Sequence, residues 1–220
     1  MLVLGHADGL CSIYVHEDAS IDQAVPLIVD AKTNYPAACN SVETLLLHEA
    51  SVDKLCPALF NALVSKGVHI KASGVLFEKY GSIFPSHISL ASAKDFDTEY
   101  IDLIVAVKTV ASTDEAIDHI NTHGSRHTDV ILTESPSVAE FFMDRVDSAG
   151  VYWNASSRFA DGYRYGFGAE IGVSTNKTHA RGPVGLEGLL IYKYKLYGQG
   201  HCVSWYAGAQ GKQFKHKPIE

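Results

Sequence analysis

Segments with a helical pattern alternate with short apolar runs from residue 11 to residue 154 of this chain. The apolar runs lack the polar alternation of half-exposed strands, so they are typical of strands buried on both faces. Helices and buried strands that alternate through short loops indicate a mostly parallel sheet with helices on both faces. We therefore predict an α/β fold of this kind. Strands are predicted at residues 2–4, 11–15, 44–48, 68–72, 100–110, 127–133 and 151–154.

Capping residues indicate where the predicted helices begin and end. Ser112 with Glu115 three residues later is a capping-box pattern, and Pro136 suits the first turn of a helix. Gly67 and Gly124 are placed where a helix commonly ends. The segment between residues 80 and 99 is predicted to be irregular. Helices are predicted at residues 21–31, 52–65, 75–80, 112–123 and 135–146.

A cysteine lies on the short loop between the first of these helices and a buried strand. Pro36 disfavours helix at the preceding residue, and Ala38 leaves room for a carbonyl group beside Cys39. A thiol becomes a nucleophile only as the thiolate, which needs nearby positive charge or a base. The sequence shows neither next to Cys39, so local chemistry leaves open both a catalytic thiol and an inert buried one.

The charge and cysteine content exclude several classes of function. The chain has 18 Lys and Arg against 25 Asp and Glu, a net charge of −7, which argues against nucleic acid or an acidic membrane surface as a partner. No stretch has the length of a membrane span, and none resembles a signal peptide. The cysteines form no short repeating pattern, so reduced thiols in a cytoplasmic protein are predicted; they are Cys11, Cys39, Cys56 and Cys202.

The chain beyond residue 155 is rich in glycine and is predicted to be a long irregular segment. The spacing of Gly166, Gly168 and Gly172 does not match a dinucleotide-binding loop, and no strand precedes it. A substrate-lining or core-lining loop is the better interpretation. Residues 189–197 alternate apolar, tyrosine and lysine side chains and predict a terminal strand that pairs with another chain.

Histidines recur every four residues at His119, His123 and His127. On one helix this spacing would align metal ligands on a single face. Gly124 should end the helix before His127, so no metal site is predicted.

Several short motifs follow one another from about residue 2 to about residue 198. They are Leu4-Gly5-His6-Ala7-Asp8-Gly9, Tyr35-Pro36-Ala37-Ala38-Cys39-Asn40, Glu43-Thr44-Leu45-Leu46, His127-Thr128-Asp129-Val130-Ile131, Trp153-Asn154-Ala155-Ser156, Phe159-Ala160-Asp161-Gly162, Gly166-Phe167-Gly168-Ala169-Glu170-Ile171-Gly172 and His179-Ala180-Arg181-Gly182-Pro183-Val184-Gly185-Leu186-Glu187-Gly188-Leu189. In this order they resemble the gamma-glutamyl phosphate reductases of the aldehyde dehydrogenase superfamily. A reductase of this family also forms the C-terminal part of the bifunctional delta-1-pyrroline-5-carboxylate synthetases.

This resemblance implies the catalytic domain of the aldehyde dehydrogenase fold with a C-terminal oligomerisation strand. Residues 1–188 would form the catalytic domain, and residues 189–220 the oligomerisation strand and tail of a homo-oligomer. The nicotinamide-binding domain of the family is absent from this chain, so we expect little reductase turnover from the chain alone. The compartment would be the cytoplasm, or the mitochondrion for an animal synthetase.

The activity implied by the resemblance is that of a glutamate-5-semialdehyde dehydrogenase in proline biosynthesis. Such an enzyme reduces glutamyl 5-phosphate to glutamate 5-semialdehyde with NADPH through a cysteine thioester. The residues implied are Cys39 and Asn40 for catalysis, Asn154, Arg158, Arg181 and His127 for substrate binding, and Glu99 for the cofactor. Val3 replaces the water-activating glutamate of hydrolytic relatives, which fits reduction of the thioester. The alternatives are a non-catalytic self-association module of the same fold and a fragment of a hydrolytic aldehyde dehydrogenase.

Overall fold

The computed structural model of the protein describes residue 5, residues 8–177 and residues 179–215. The strand predicted at residues 2–4 lies outside the described residues. The contacts divide the chain into two compact units at the boundary between Leu189 and Leu190. Every helix among the described residues is too short or too polar to cross a membrane.

The larger unit is built around a sheet of seven strands in which every neighbouring pair is parallel. The strands are β1 Cys11–Val15, β2 Val42–His48, β3 His69–Ala72, β4 Ile88–Leu90, β5 Ile104–Val110, β6 Thr128–Leu132 and β7 Gly150–Trp153. Their order across the sheet is β4-β3-β5-β2-β1-β6-β7. The predicted parallel sheet is therefore confirmed.

Helices cover both faces of this sheet, as predicted. The helices are α1 Ile21–Thr33, α2 Val52–Ser65, α3 Gly74–Tyr80, α4 Thr113–His123 and α5 Pro136–Arg145. Successive strand residues point to opposite faces. Leu45 belongs to an apolar cluster that includes side chains of α1, α2 and α3, whereas Leu46 belongs to one that includes side chains of α4 and α5. The two faces therefore bury two separate apolar clusters, which makes this a three-layer α/β unit.

The segment before β5 differs from the prediction in two ways. It contains the short strand β4 and a 3-10 turn, Ala93–Asp97, where an irregular segment was predicted. Strand β5 begins at Ile104 instead of residue 100. The reason is a turn in which Ile101 has a φ of +57°, and backbone in that conformation cannot continue a strand ladder.

The glycine-rich segment contains a small antiparallel sheet that the sequence did not predict. Its strands are β8 Glu170–Ser174 and β9 Gly182–Gly185. Gly182 has a φ of +97°, a conformation that glycine adopts without steric cost. The segment was predicted to be irregular because its many glycines mask the short apolar pattern of β8.

The second unit, Leu190–Glu220, contains the 3-10 turn Val203–Tyr206. The strand predicted at residues 189–197 is not formed: Leu186–Leu189 is a 3-10 turn, and residues 190–198 have no regular secondary structure. Ile191 is 90% exposed and Leu196 is 91% exposed. A strand needs a neighbouring strand for its backbone hydrogen bonds, and the described residues of this unit include no strand that could provide one.

Candidate active site

Cys39 lies on a loop, residues 34–41, that joins the end of α1 to the beginning of β2 at the amino edge of the sheet. Turn hydrogen bonds shape this loop: the N–H of Ala38 donates to Tyr35 O over 3.2 Å, and the N–H of Ser41 donates to Ala38 O over 2.8 Å. Tyr35 has a φ of +66°, which redirects the chain after the helix. The Cys39 side chain is half-buried.

The chain before β1 passes directly against the backbone of Cys39. A Cβ atom on Gly9 would lie 2.2 Å from Cys39 O and 2.6 Å from Cys39 Cα. Side chains do not approach backbone atoms so closely, so glycine is required here. The Sγ of Cys11, the first residue of β1, lies 3.4 Å from the same Cys39 O.

Asn40 fastens the loop to a short 3-10 turn, Ser157–Phe159, more than a hundred residues away in sequence. Its Nδ2 donates to Ala160 O over 2.9 Å, and Ser157 Oγ donates to Asn40 O over 2.7 Å. The backbone N–H of Asn40 has no hydrogen-bond acceptor among the residues that the structure describes. That N–H is free to donate to an oxyanion.

Arg158 brings a positive charge to the same loop. Its Nε donates to Asn34 O over 2.6 Å, and its guanidinium carbon lies 5.9 Å from the centre of the Tyr35 ring. The residue is only 8% exposed. Within the described part of the chain, the Nη1 and Nη2 atoms have no acceptor. Two donors of a guanidinium fork, which suit a phosphate or carboxylate, therefore remain available beside the loop.

The electrostatic environment raises the pKa of the Cys39 thiol above its ordinary value. Burial is the largest effect that raises the pKa of the thiol, and the carboxylates of Glu170 and Glu99 raise it further. The backbone N–H of Cys39 and the charge of Arg158 lower it, but by less. The cation that the sequence did not show next to Cys39 is present, yet it does not outweigh burial.

The two carboxylates that influence Cys39 differ in their contacts. Glu170 accepts a hydrogen bond from the N–H of Gly162 over 2.6 Å at its Oε2. It falls in a matching motif, but no role was predicted for it. Glu99 is partly exposed and has no hydrogen-bond partner among the described residues. Its carboxylate is thus free to accept hydroxyl donors.

A buried ion pair joins the two ends of the Cys39 loop. Lys32 Nζ lies 2.9 Å from Glu43 Oε2, and the two side chains are 0% and 1% exposed. Lys32 Nζ also donates to Val42 O over 3.0 Å. Burial raises the pKa of Glu43 to about 7, although Lys32 opposes this shift. Neither residue was singled out from the sequence, because a Lys and a Glu eleven positions apart carry no recognisable pattern.

His127, which the resemblance implied for substrate binding, lies in the interior of the larger unit. Its side chain is completely buried. The Nδ1 atom lies 2.9 Å from Thr128 Oγ1 and 3.7 Å from Cys11 Sγ. These contacts lie inside the unit, and the substrate-binding role of His127 stays a prediction.

Asn154 and Arg181, which the resemblance implied for substrate binding, use their side chains in local hydrogen bonds. Asn154 follows the carboxyl end of β7, whereas Cys39 precedes the amino end of β2, and its side-chain amide makes hydrogen bonds to the N–H and O of Thr133. The guanidinium of Arg181 donates to Thr175 O and to the side chain and backbone of Asp147. These side-chain groups stabilise local structure, and the substrate-binding roles of both residues stay predictions.

The residues that the structure describes contain no group of three or more His, Cys, Asp or Glu that could hold a metal ion. His119 and His123 lie side by side on α4, with ring centres 4.4 Å apart. His123 pairs with Asp97 at 2.7 Å. His127 lies beyond the end of this helix, as Gly124 indicated.

Comparisons with known proteins agree on one family, although no protein-family model matches the chain. Over 215 residues the chain is 53% identical to the gamma-glutamyl phosphate reductase of a Synechococcus strain, covering 98% of this chain and 46% of that relative. Over 221 residues it is 52% identical to the probable gamma-glutamyl phosphate reductase of Schizosaccharomyces pombe, covering 99% of this chain and 49% of the relative.

A crystal structure of the gamma-glutamyl phosphate reductase from Thermotoga maritima has the same fold. The TM-score is 0.80 at 44% sequence identity, over 90% of this chain and 47% of that chain. Over nearly its whole length the chain is similar to gamma-glutamyl phosphate reductases. It spans about half the length of the curated relatives that it matches. The resemblance seen in the sequence and the aldehyde dehydrogenase-like α/β fold are both confirmed.

Proposed function

We propose that this chain is the thiol-bearing part of a gamma-glutamyl phosphate reductase, an NADP-dependent oxidoreductase of proline biosynthesis. The observation that carries the proposal is the pair of Arg158 nitrogens, Nη1 and Nη2, which have no acceptor among the described residues and lie beside the Cys39 loop. A thiol with an anion-binding fork held against its loop is what attack on an acyl phosphate requires. Similarity to gamma-glutamyl phosphate reductases favours this over a non-catalytic module. The Val3 replacement, which separated it from hydrolytic relatives, lies outside the described residues.

The first chemical step uses groups of this chain alone. The Cys39 thiol loses its proton to solvent, and the sulfur attacks the acyl carbon of glutamyl 5-phosphate. A C–S bond forms, the bond from the acyl carbon to the phosphate oxygen breaks, and inorganic phosphate leaves. Arg158 binds the departing phosphate, while the N–H of Asn40 stabilises the negative charge that develops on the carbonyl oxygen.

The candidate contact for a nicotinamide cofactor is Glu99. Its carboxylate has no hydrogen-bond partner among the described residues, and its charge raises the pKa of the Cys39 thiol. It therefore fits the hydroxyl groups of a ribose, and bound NADPH would supply the hydride for the thioester. The described residues offer no glycine-rich phosphate loop after a strand, so we expect weak NADPH binding by this chain alone.

Acyl transfer to Cys39 tests the proposal without the cofactor. Incubation with glutamyl phosphate generated in situ, or with acetyl phosphate as a stable analogue, should release phosphate and leave an acyl group on Cys39, detected by peptide mass spectrometry. Arg158→Gln should slow the reaction roughly 100-fold because the phosphate loses its cation. Cys39→Ala should abolish the adduct. An adduct on Cys202, or none in the parent chain, would contradict the proposal.

We further propose that residues 190–197 of this chain form a strand by pairing with a second copy of the chain. Their exposed, alternating side chains support this, since unpaired strands with such a pattern pair with other strands.

Tyr194→Pro should convert the self-associated chain to monomer, because proline removes a ladder N–H. Gln199→Pro, just outside the strand, is the matched control and should keep the association, as should Cys39→Ala. Light scattering after size-exclusion chromatography measures the mass. A parent chain that is monomeric at high concentration would rule out this interface.

A further inference from the structure

The same buried ion pair contacts two segments of the candidate site. Lys32 lies in the last turn of α1, immediately before the Cys39 loop. Glu43 lies at the beginning of β2, immediately after that loop. Glu43 Oε1 also accepts a hydrogen bond from the N–H of Ile101 over 3.4 Å, in the turn that follows Glu99. One carboxylate thus contacts the segment with the thiol and the segment with the proposed cofactor ligand.

Both segments contain a residue in an unfavourable backbone conformation. Tyr35 has a φ of +66° in the Cys39 loop, and Ile101 has a φ of +57° in the turn after Glu99. Positive φ is uncommon for residues with a side chain and is a real outlier for β-branched isoleucine. Such conformations persist only where surrounding contacts hold them. For Ile101, the hydrogen bond from its N–H to Glu43 is such a contact.

A buried ion pair is not needed for stability, because apolar side chains of similar volume are often as stabilising. An ion pair differs from apolar packing in being directional. The pair binds Val42 O through Lys32 and the Ile101 N–H through Glu43, in addition to the contact between the two charges. Its specific contribution is therefore the relative placement of three chain segments.

We propose that Lys32 and Glu43 are positioning residues that hold the Cys39 loop in register with the turn carrying Glu99. This rests on the proposed function, in which Cys39 is the nucleophile and Glu99 contacts the cofactor. Neither Lys32 nor Glu43 touches the substrate; they act through the loop and the turn.

The double variant Lys32→Met/Glu43→Leu separates positioning from stability. It keeps the buried volume but removes every directional contact of the pair. We carry it in a Cys202→Ser background, in which Cys39 is the most accessible thiol because Cys11 and Cys56 are buried. Three quantities are measured: the urea midpoint, the pH profile of Cys39 alkylation by iodoacetamide, and the rate of acyl transfer from acetyl phosphate.

If the pair positions the loop, the double variant keeps the parent's urea midpoint while the two thiol reactions change in opposite directions. A loosened loop exposes Cys39, so alkylation becomes faster and its pH midpoint falls towards that of a free cysteine. Acyl transfer should fall roughly 10- to 100-fold, because it depends on geometry. Glu43→Gln, which keeps an acceptor for the Ile101 N–H, should retain more of the acyl transfer than Glu43→Leu.

Removal of the exposed pair between Lys79 and Asp53 is the control; Lys79→Met should change neither thiol reaction. A double variant with parental midpoint, alkylation profile and acyl transfer would show that the pair is only structural and would overturn the proposal. If the parent chain forms no acyl adduct, the proposed function fails. The alkylation profile would then still decide whether the pair positions the loop.

Discussion

Lys32→Met alone should lower the free energy of unfolding by about 3–5 kcal/mol, the cost typical of breaking a buried ion pair. The substitution leaves the Glu43 carboxylate 1% exposed, without its cationic partner. Water cannot reach the carboxylate to compensate, so the folded state must protonate it or distort. Urea unfolding followed by far-UV circular dichroism measures the loss.

The pH dependence of that loss has a definite sign. The pKa of Glu43 in the folded chain is about 7, above its ordinary value of 4.5, and removing Lys32 raises it further because Lys32 lowers it. Between pH 4.5 and the pKa of the folded state, Glu43 holds a proton in the folded chain that it releases in the unfolded chain. The free energy of unfolding therefore falls as pH rises. Below pH 4.5 the carboxyl is neutral in both states, and the deficit of Lys32→Met should become smaller.

The double variant Lys32→Met/Glu43→Leu is the matched comparison for stability. With both charges removed, no uncompensated group remains, so it should be within about 1 kcal/mol of the parent. A single variant as stable as the parent at neutral pH would show that water reaches Glu43.

Gly9→Ala should destabilise the chain by about 1–3 kcal/mol, as overpacking a tight site does. The new Cβ would lie 2.2 Å from Cys39 O and 2.6 Å from Cys39 Cα. Both are backbone atoms and cannot rotate away, so either β1 or the Cys39 loop must move. The urea midpoint reports the cost, and acyl transfer to Cys39 should fall because the thiol is displaced.

Gly74→Ala provides the control for Gly9→Ala. A Cβ at Gly74 would have no atom within 4 Å, and alanine is a better helix former than glycine. This variant should therefore be at least as stable as the parent and react at the same rate. Equal stability of the two alanine variants would mean that the approach of Gly9 to Cys39 relaxes at little cost.

Local sequence patterns predicted most of the elements. The helix predicted at residues 52–65 has those bounds because an apolar stripe and Gly67, with a φ of +77°, specify its face and its end. Ser112 Oγ accepts the N–H of Glu115, as the predicted capping pattern of α4 requires. These features depend on residues a few positions apart.

The predictions that failed concern elements whose bounds depend on contacts between residues far apart in the sequence. Strand β5 starts late because a turn held by Glu43, 58 residues earlier, occupies residues 100–103. Strand β4 has three residues, too few for a reliable alternation. The terminal strand stays a prediction, because it was predicted to pair with another chain and no strand among the described residues of its own unit is available to it.

In the candidate site, too, some features follow from short motifs and others from contacts between distant residues. Resemblance to a family indicated Cys39, Asn40 and Arg158, and the structure brings these residues together at one loop. Arg158 reaches that loop through its hydrogen bond to Asn34, which lies 124 positions earlier in the sequence. The same motifs suggested Asn154 and Arg181, whose polar groups satisfy local backbone and ion-pair partners instead. Residue type alone does not reveal which partner a side chain has.

The sequence by itself determined the layered α/β fold and indicated the resemblance to gamma-glutamyl phosphate reductases, because apolar periodicity, capping residues and motif order are properties of neighbouring residues. Only the tertiary structure decided how the thiol is held: the contact with Gly9, the charge of Arg158 and the Lys32–Glu43 pair. These contacts join segments that are separate along the chain, and their strength depends on exclusion of water, which arises only once the layers have packed together.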